Sequence, residues 1–534
     1  MPVPTAPPPE ITAVRQPEPS SSPRSYLPFI SLALVIVIGI SAFLWHRYWP
    51  FAQQSIIQNL QEAGDSHVTV RSFRTTYFPS PGAVLEGVVF IHGTKFPAPL
   101  ITIDRLTIRG SYFGLIGRRV SNITADGLHI IIPPFGTGEP FHITTSTITI
   151  GEIVTHNAIL DFYSDPHDQH PFRFDIHDAD LRNVGWNGPL SYRVQLHNPE
   201  PPGEITAAGK FGVWDQSNPA NTPVSGDYKF DQADLSVFDG ISGILSSTGK
   251  FQGHLGRIDI SGTTNTPDFM VNMSGHTVPL NTDFTAHVDG TNGDTFLDRV
   301  DARFRKTRVF AKGSIAGRPN QDGKLAQIDL STKDGRVEDV LRLFVKQEPS
   351  PMSGAISLTT RADLPPGDAP FLKKLKLAGH FEVADGRLSN PETQTGLDKL
   401  SAGARGLKKD GPVEPVTAEV EGTVQLQNAI GRFSDLDFRI PGAHARVRGT
   451  YNVISHQIDL DGQMWLDTKL SNTTTGAKAL ASKVIDPFFH KGRHKGEIVP
   501  VRMGGTYEKP SYGLAIEDQK AEDVPRPEPR KKTP

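Results

Sequence analysis

The chain has 534 residues, with 55 Lys+Arg against 58 Asp+Glu, a formal net charge of -3 and no cysteine. So even a balance offers no general basic face for nucleic acid, and the missing thiols exclude disulfide scaffolds, cysteine-ligated metals and thiol catalysis. Gly 50, Pro 44 and a mean hydropathy of -0.31 point to many turns rather than long helices.

Residues 1–25 are rich in Pro and Ser and read as a disordered tail. Residues 26–49 read as a transmembrane signal anchor. Within them 27–45 (LPFISLALVIVIGISAFLW) carry no charge over a length that crosses a bilayer as a helix, with Tyr26, Trp45, Tyr48 and Trp49 at its margins. The rival reading is a cleaved signal peptide, but the apolar core is long and is followed by WHRYW rather than a small-residue cleavage site. Arg15 and Arg24 before the span and Arg47 after it place the N-terminus in the cytoplasm and export the rest. Residues 517–534 form a second mixed-charge tail.

From residue 65 onward the dominant period is two. It is seen in 100–108 (LITIDRLTI), 141–150 (FHITTSTITI), 249–260 (GKFQGHLGRIDI), 420–426 (VEGTVQL) and 443–451 (AHARVRGTY). This alternation puts apolar side chains on one sheet face and polar ones on the other. Helices are expected at 52–63, for one or two turns at 234–241 with Asp234 as a cap, at 337–345, and at 474–489, ending near Asp486 and Pro487.

At about 10–12 residues per strand and turn, the body holds roughly 40 strands. Two architectures accommodate them: several sandwiches on linkers, or one long curved antiparallel sheet that grows strand by strand. The lack of a long Pro/Ser linker between 65 and 510 favours the second, with possible joints at 199–203, 347–351 and 365–370.

Sharp site motifs are missing: the chain has no GxSxG, P-loop, HExxH or dinucleotide turn. The weak ones read as loops. His167, His170 and His177 have metal-like spacing but sit in a hydrophilic stretch. His490 and His494 lie in a basic turn, and 289–294 (DGTNGD) lacks the full calcium-loop spacing. No catalytic residue, metal or cofactor is expected, and the chain is read as a non-enzyme.

The order of anchor, β-rich body and polar tail resembles the AsmA-like family of bacterial envelope proteins. The likeness is carried by 79–88 (PSPGAVLEGV), 101–106 (ITIDRL) and 123–130 (ITADGLHI) near the start. It continues through 249–253 (GKFQG) and 260–269 (ISGTTNTPDF), then 449–453 (GTYNV), 458–462 (IDLDG) and 498–506 (IVPVRMGGT) with Lys509 and Pro510. It extends over roughly 27–516, divided into an AsmA-like periplasmic region at 50–370 and a C-terminal β region at 371–516.

The resemblance implies a β-groove shared with TamB-like and bridge-like lipid transfer proteins: a bent sheet forming a trough with an apolar lining. It implies phospholipid binding or transfer between inner and outer membrane, a single-pass place in the bacterial inner membrane, and a bulk in the periplasm. Leu100, Ile143 and Val420 represent the expected lining. Two other functions stand beside this one: an outer-membrane assembly factor that binds envelope proteins through sheet edges, and an exported enzyme with an unrecognised site.

Overall fold

A computed structural model describes residues 51–64, 66–91, 100–114, 119–133, 149–163, 171–185, 188–215, 217–318, 321–405, 407, 414–466, 498–506 and 509–513. The protein is mainly β: the described residues form one 25-stranded sheet and a few short helices. The anchor at 26–49, both tails, Ile143, the helix at 474–489 and the loops holding His167, His170, His490 and His494 lie outside the described residues. Among the described residues no helix is long and apolar enough to cross a membrane.

Helix α1 (Gln53–Gly64) leads into β1 (His67–Thr76), β2 (Gly82–Ile91) and β3 (Ile101–Gly110), an antiparallel meander. Strands β4 (Arg119–Asp126) and β5 (His129–Ile132) both pair with β3 on one side and with β6 (Thr149–Phe162) on the other. They are one line broken at Gly127, whose φ of +63° turns the chain where a Cβ would lie 2.2 Å from the Asp104 carboxylate.

The pairing of β6 with β4 and β5 is parallel, which corrects the expectation of a purely antiparallel sheet. The physical reason is the connection 133–148, long enough to bring the chain back to the starting end before β6 begins.

From β6 onward the strands pair antiparallel in chain order, with β11 alone stepping out of the series. β7 (Phe172–Val184), β8 (Leu190–Pro199), β9 (Pro202–Phe211) and β10 (Pro223–Asp234) run to β12 (Ile244–His254). The two-residue β11 (Ile241–Ser242) pairs only with the end of β13 (Arg257–Val271). Then follow β14 (Thr277–Asp289), β15 (Asp294–Phe304), β16 (Thr307–Arg318), β17 (Gln321–Arg336), β18 (Met352–Leu364) and β19 (Lys376–Leu388). The series closes with β20 (Ala418–Gln427), β21 (Ile430–Ile440), β22 (Ala443–Asn452), β23 (Ile458–Leu466), β24 (Ile498–Thr506) and β25 (Lys509–Gly513).

The count falls short of the expected 40 because individual strands reach 15 or 16 residues, as in β13 and β17. None of the suspected joints interrupts the ladder. Residues 199–202 close the β8–β9 hairpin, with Pro199 opposite Pro202. The stretch 347–351 leads from α2 (Val337–Arg342) into β18, and 365–370 from β18 into α3 (Phe371–Lys374). β18 pairs with β19 from Met352 to Asp363 across the 370/371 boundary, with one register shift between Ser353 and Ala355.

Length is reconciled with alternation by β-bulges. Register shifts occur between Phe230 and Ala233, Thr266 and Phe269, Thr332 and Gly335, and Val383 and Gly386. Gln232, Asp334 and Asp385 adopt left-handed φ of 55°, 56° and 54° at these places. Each bulge consumes an extra residue and returns the next apolar side chain to the same face.

Buried apolar clusters occupy parts of that face. Beneath α1, Phe51 and Ile56 pack on Val68, Leu85, Val88, Ile103, Leu106 and Ile108. The helix forms because Ile56 and Leu60 recur at i, i+4 and present one apolar stripe to the sheet. Under α2, Val337, Ile356 and Val383 form a second cluster. Under α4 (Pro391–Ala404), Leu397 and Ala404 meet Val416, Ala418, Ile440 and Ala443.

Two helical expectations land closely. Asp234 caps the turn Leu235–Val237 by accepting from the Ser236 N–H, and α2 lies within 337–345. Buried Asp339 ties α2 to the β15–β16 turn, accepting from Arg305 Nε at 3.0 Å, the Lys306 N–H at 2.9 Å and Thr307 Oγ1 at 3.0 Å.

Candidate functional site: an uncovered apolar face

Between β8 and β17 the apolar face continues; α2 abuts β17, Phe371 of α3 lies against Gly240 ahead of β11, and Val278 at that end of β14 is fully buried, but no described helix packs along the middle of the face. Two adjacent cross-strand rows show this. One runs Val194, Ala207, Tyr228, Gly249, Gly262, Phe284, Val300, Ala311, Leu330, each directly opposite the next. The other runs Tyr192, Gly209, Gly226, Phe251, Ile260, Ala286, Leu297, Gly313, Ile328. At about 4.8 Å per strand each row extends about 38 Å.

Most of these side chains are half-buried, and only Ala207 and Ala286 are buried. Neighbours in the sheet cover their flanks, while their tops lack the packing that buries Leu85 completely. Apolar side chains left this way form a continuous stripe that the sheet alone does not bury as core.

Glycines flatten the floor of this stripe. A Cβ on Gly226 would lie 2.6 Å from Tyr192 Oη, and one on Gly249 would lie 2.7 Å from Tyr228 Cε1. The aromatic rings therefore lie down over the backbone. The Tyr192 hydroxyl donates to the Ser225 carbonyl at 3.2 Å, and that of Tyr228 shares a 3.0 Å hydrogen bond with Ser247 Oγ. Burial, then the nearby Asp227 carboxylate, pushes the Tyr192 phenol up to about 12, so it stays neutral. The polar atoms of both residues are thus occupied within the sheet.

The opposite face is charged. Lys250 faces Asp227 at 3.5 Å and Arg361 holds Asp329 at 2.7 Å. Asp301 is 4% exposed, covered by the guanidinium groups of Arg308 and Arg303 rather than by apolar packing. The Arg308 hydrogen bond holds the Asp301 carboxyl down to about 2, with Arg303 adding to it. A greasy face and a solvated face thus alternate along every strand.

The residues singled out from the sequence fall elsewhere. Leu100 is half-buried at the entrance to β3, donating its N–H to the Phe90 carbonyl and accepting from Ile131. Val420 is half-buried opposite Val383 and Phe438, within the cluster that α2 covers. Both lie beside the covered ends, and Ile143 lies outside the described residues. The uncovered residues were present in the alternating run 249–260, which contributes Phe251, Ile258 and Ile260; alternation alone does not distinguish a covered face from an open one.

The other chemical candidates are structural. His177 joins His197 on Glu204, at 3.0 and 2.9 Å. The loop 289–294 is the β14–β15 turn, in which Asp289 accepts from the Thr291 N–H at 2.9 Å and Lys324 pairs with Asp294 at 3.2 Å. Among the described residues no cluster of three metal-ligating side chains forms.

No family model, curated protein or solved structure matches this chain.

Proposed function

We propose that this chain is an AsmA-like, membrane-anchored protein of the bacterial envelope that binds phospholipid acyl chains along the uncovered face of β8–β17 and passes them between inner and outer membrane. The observation that carries the reading is the pair of apolar rows in continuous register without a covering helix. The recurrent bulges support this reading, because each one bends its strand and adds local twist, and a trough is the form the reading requires of the face.

Each methylene buried there contributes about 0.8 kcal/mol, an amount spread evenly over many similar contacts. An acyl chain in such a trough is held without a single strong point and is free to slide. Neither a catalytic cluster nor a cofactor is required, and the chain acts as a binder rather than an enzyme.

The test uses the full chain in cells. A photoreactive amino acid replaces Phe284 on the apolar face or Asp259 on the polar face, and the irradiated protein is weighed. Phospholipid adducts at 284 and none at 259 support the reading. A protein adduct at 284 would sink it and favour the assembly-factor alternative, for which the outer strands β1 and β25 offer edges that pair on one side only among the described residues.

A further inference from the structure

Four large aromatic side chains project from two neighbouring turns at one end of the sheet. Tyr77 and Phe78 follow β1; Tyr112 and Phe113 follow β3. Phe78 and Phe113 are each 89% exposed. The two turns are fastened together: the Tyr112 hydroxyl donates to the Tyr77 carbonyl. At their foot the Gly110 N–H donates to the Pro81 carbonyl at 2.8 Å. The rings are therefore displayed on a braced platform, and their exposure is built into the fold.

The two turns themselves carry only positive charge, the nearest carboxylate to Arg74 being Glu86 further along β2. Residues 73–84 and 107–114 include Arg74 and Arg109 and no Asp or Glu, and Arg119 opens β4. All three arginines are exposed. Aromatic rings flanked by arginine are the side chains that settle in the headgroup layer of an anionic bilayer.

Position supplies the partner. Phe51 packs directly against this platform: a Cβ on Gly110 would lie 2.6 Å from Phe51 Cζ. Trp45, the end of the apolar stretch, is six residues earlier. Six residues reach at most about 22 Å even when fully extended, so a bilayer crossed by 27–45 has its surface within reach of the turns.

We infer that the 77–78 and 112–113 tips enter the interfacial layer of the bilayer crossed by residues 27–45 and seat the first strands on it, an inference that rests on the anchor reading. The insertion fixes the tilt of β1–β4 against the membrane. A single anchor helix, free to swivel, does not do so.

The absence of native cysteine permits single-site labelling of the full chain. Phe78→Cys, Phe113→Cys and, as a control on the polar face of β12, Lys250→Cys each receive an environment-sensitive fluorophore. Each labelled chain is reconstituted into vesicles of phosphatidylethanolamine and phosphatidylglycerol, with or without a nitroxide lipid. The expected result is quenching at 78 and 113 at least about threefold stronger than at 250, as for interfacial side chains. If the chain floats with the vesicles but 78 and 113 are quenched no more than 250, the insertion is wrong and the anchor stands. A label shielded from water yet untouched by the nitroxide reports a protein contact and also overturns the insertion. A chain that does not float removes the anchor reading and the inference with it.

Discussion

Strands β1–β4 and strands β8–β16 share one sheet and one alternation, yet they end in different states. In the first region α1 lays Phe51 and Ile56 over the apolar face, and Leu85 and Val88 have no exposed surface. In the second, side chains of the same chemistry, such as Phe251, Phe284 and Val300, are left half-covered. The strand pattern therefore makes the face, and whether a short helix lies over it decides how deeply its side chains are buried.

The comparison can be broken most sharply by equal truncations in the two regions. Leu85→Ala removes a fully buried side chain and is expected to cost about 2–5 kcal/mol, read as loss of amide protection in β1–β3 by hydrogen exchange. Phe284→Ala in the open region is expected to cost less, about 1 kcal/mol, while abolishing lipid crosslinking from neighbouring positions. Equal losses of stability would mean that the middle face is an ordinary core.

A second measurement sharpens the contrast. Phospholipid added to lipid-stripped protein is expected to slow amide exchange in β9–β15 and to leave β1–β3 unchanged, because only the former has unfilled surface. Uniform protection along the sheet would point to non-specific coating.

Acid tests the polar face. The folded carboxyl of Asp301 titrates at about 2, below its unfolded value of about 3.9. A depressed folded value gives stability that is fully present above the unfolded pKa and is lost as pH falls toward about 2. Asp301→Asn is therefore expected to lower the unfolding temperature at pH 7, and the difference from the parent should shrink between about pH 5 and pH 2. A difference independent of pH would remove the charge from the explanation.

The smallest effect is local. Asp234→Ala removes the acceptor for the Ser236 N–H and is expected to cost about 0.5–1 kcal/mol, visible as faster exchange of the Ser236 amide without change in β1–β3.

Much of this was legible in the sequence. The runs 100–108, 249–260 and 443–451 announced the sheet, and Asp234 announced its turn. The parallel pairing of β6 was not legible, because it depends on where the connection 133–148 delivers the chain and not on the strand's own residues. Nor were the bulges: Gln232, Asp334 and Asp385 shift the phase of alternation through a left-handed backbone that ordinary side chains seldom adopt. Val420 obeys the same period two as Phe284, and what separates them is the cluster under α2 beside Val420, a property set by segments distant in sequence.

Neighbour-to-neighbour pairing bears on how such a sheet can be made. From β6 onward, nearly every ladder joins a strand to the next one along the chain, and most close over a short loop at small entropic cost, the connections 389–417 and 467–497 being the long exceptions. Contacts of low sequence separation form quickly and do not wait for distant segments. A chain presented progressively from its N-terminal end can therefore zip each hairpin onto the growing edge, with the strands already paired serving as the template for the rest.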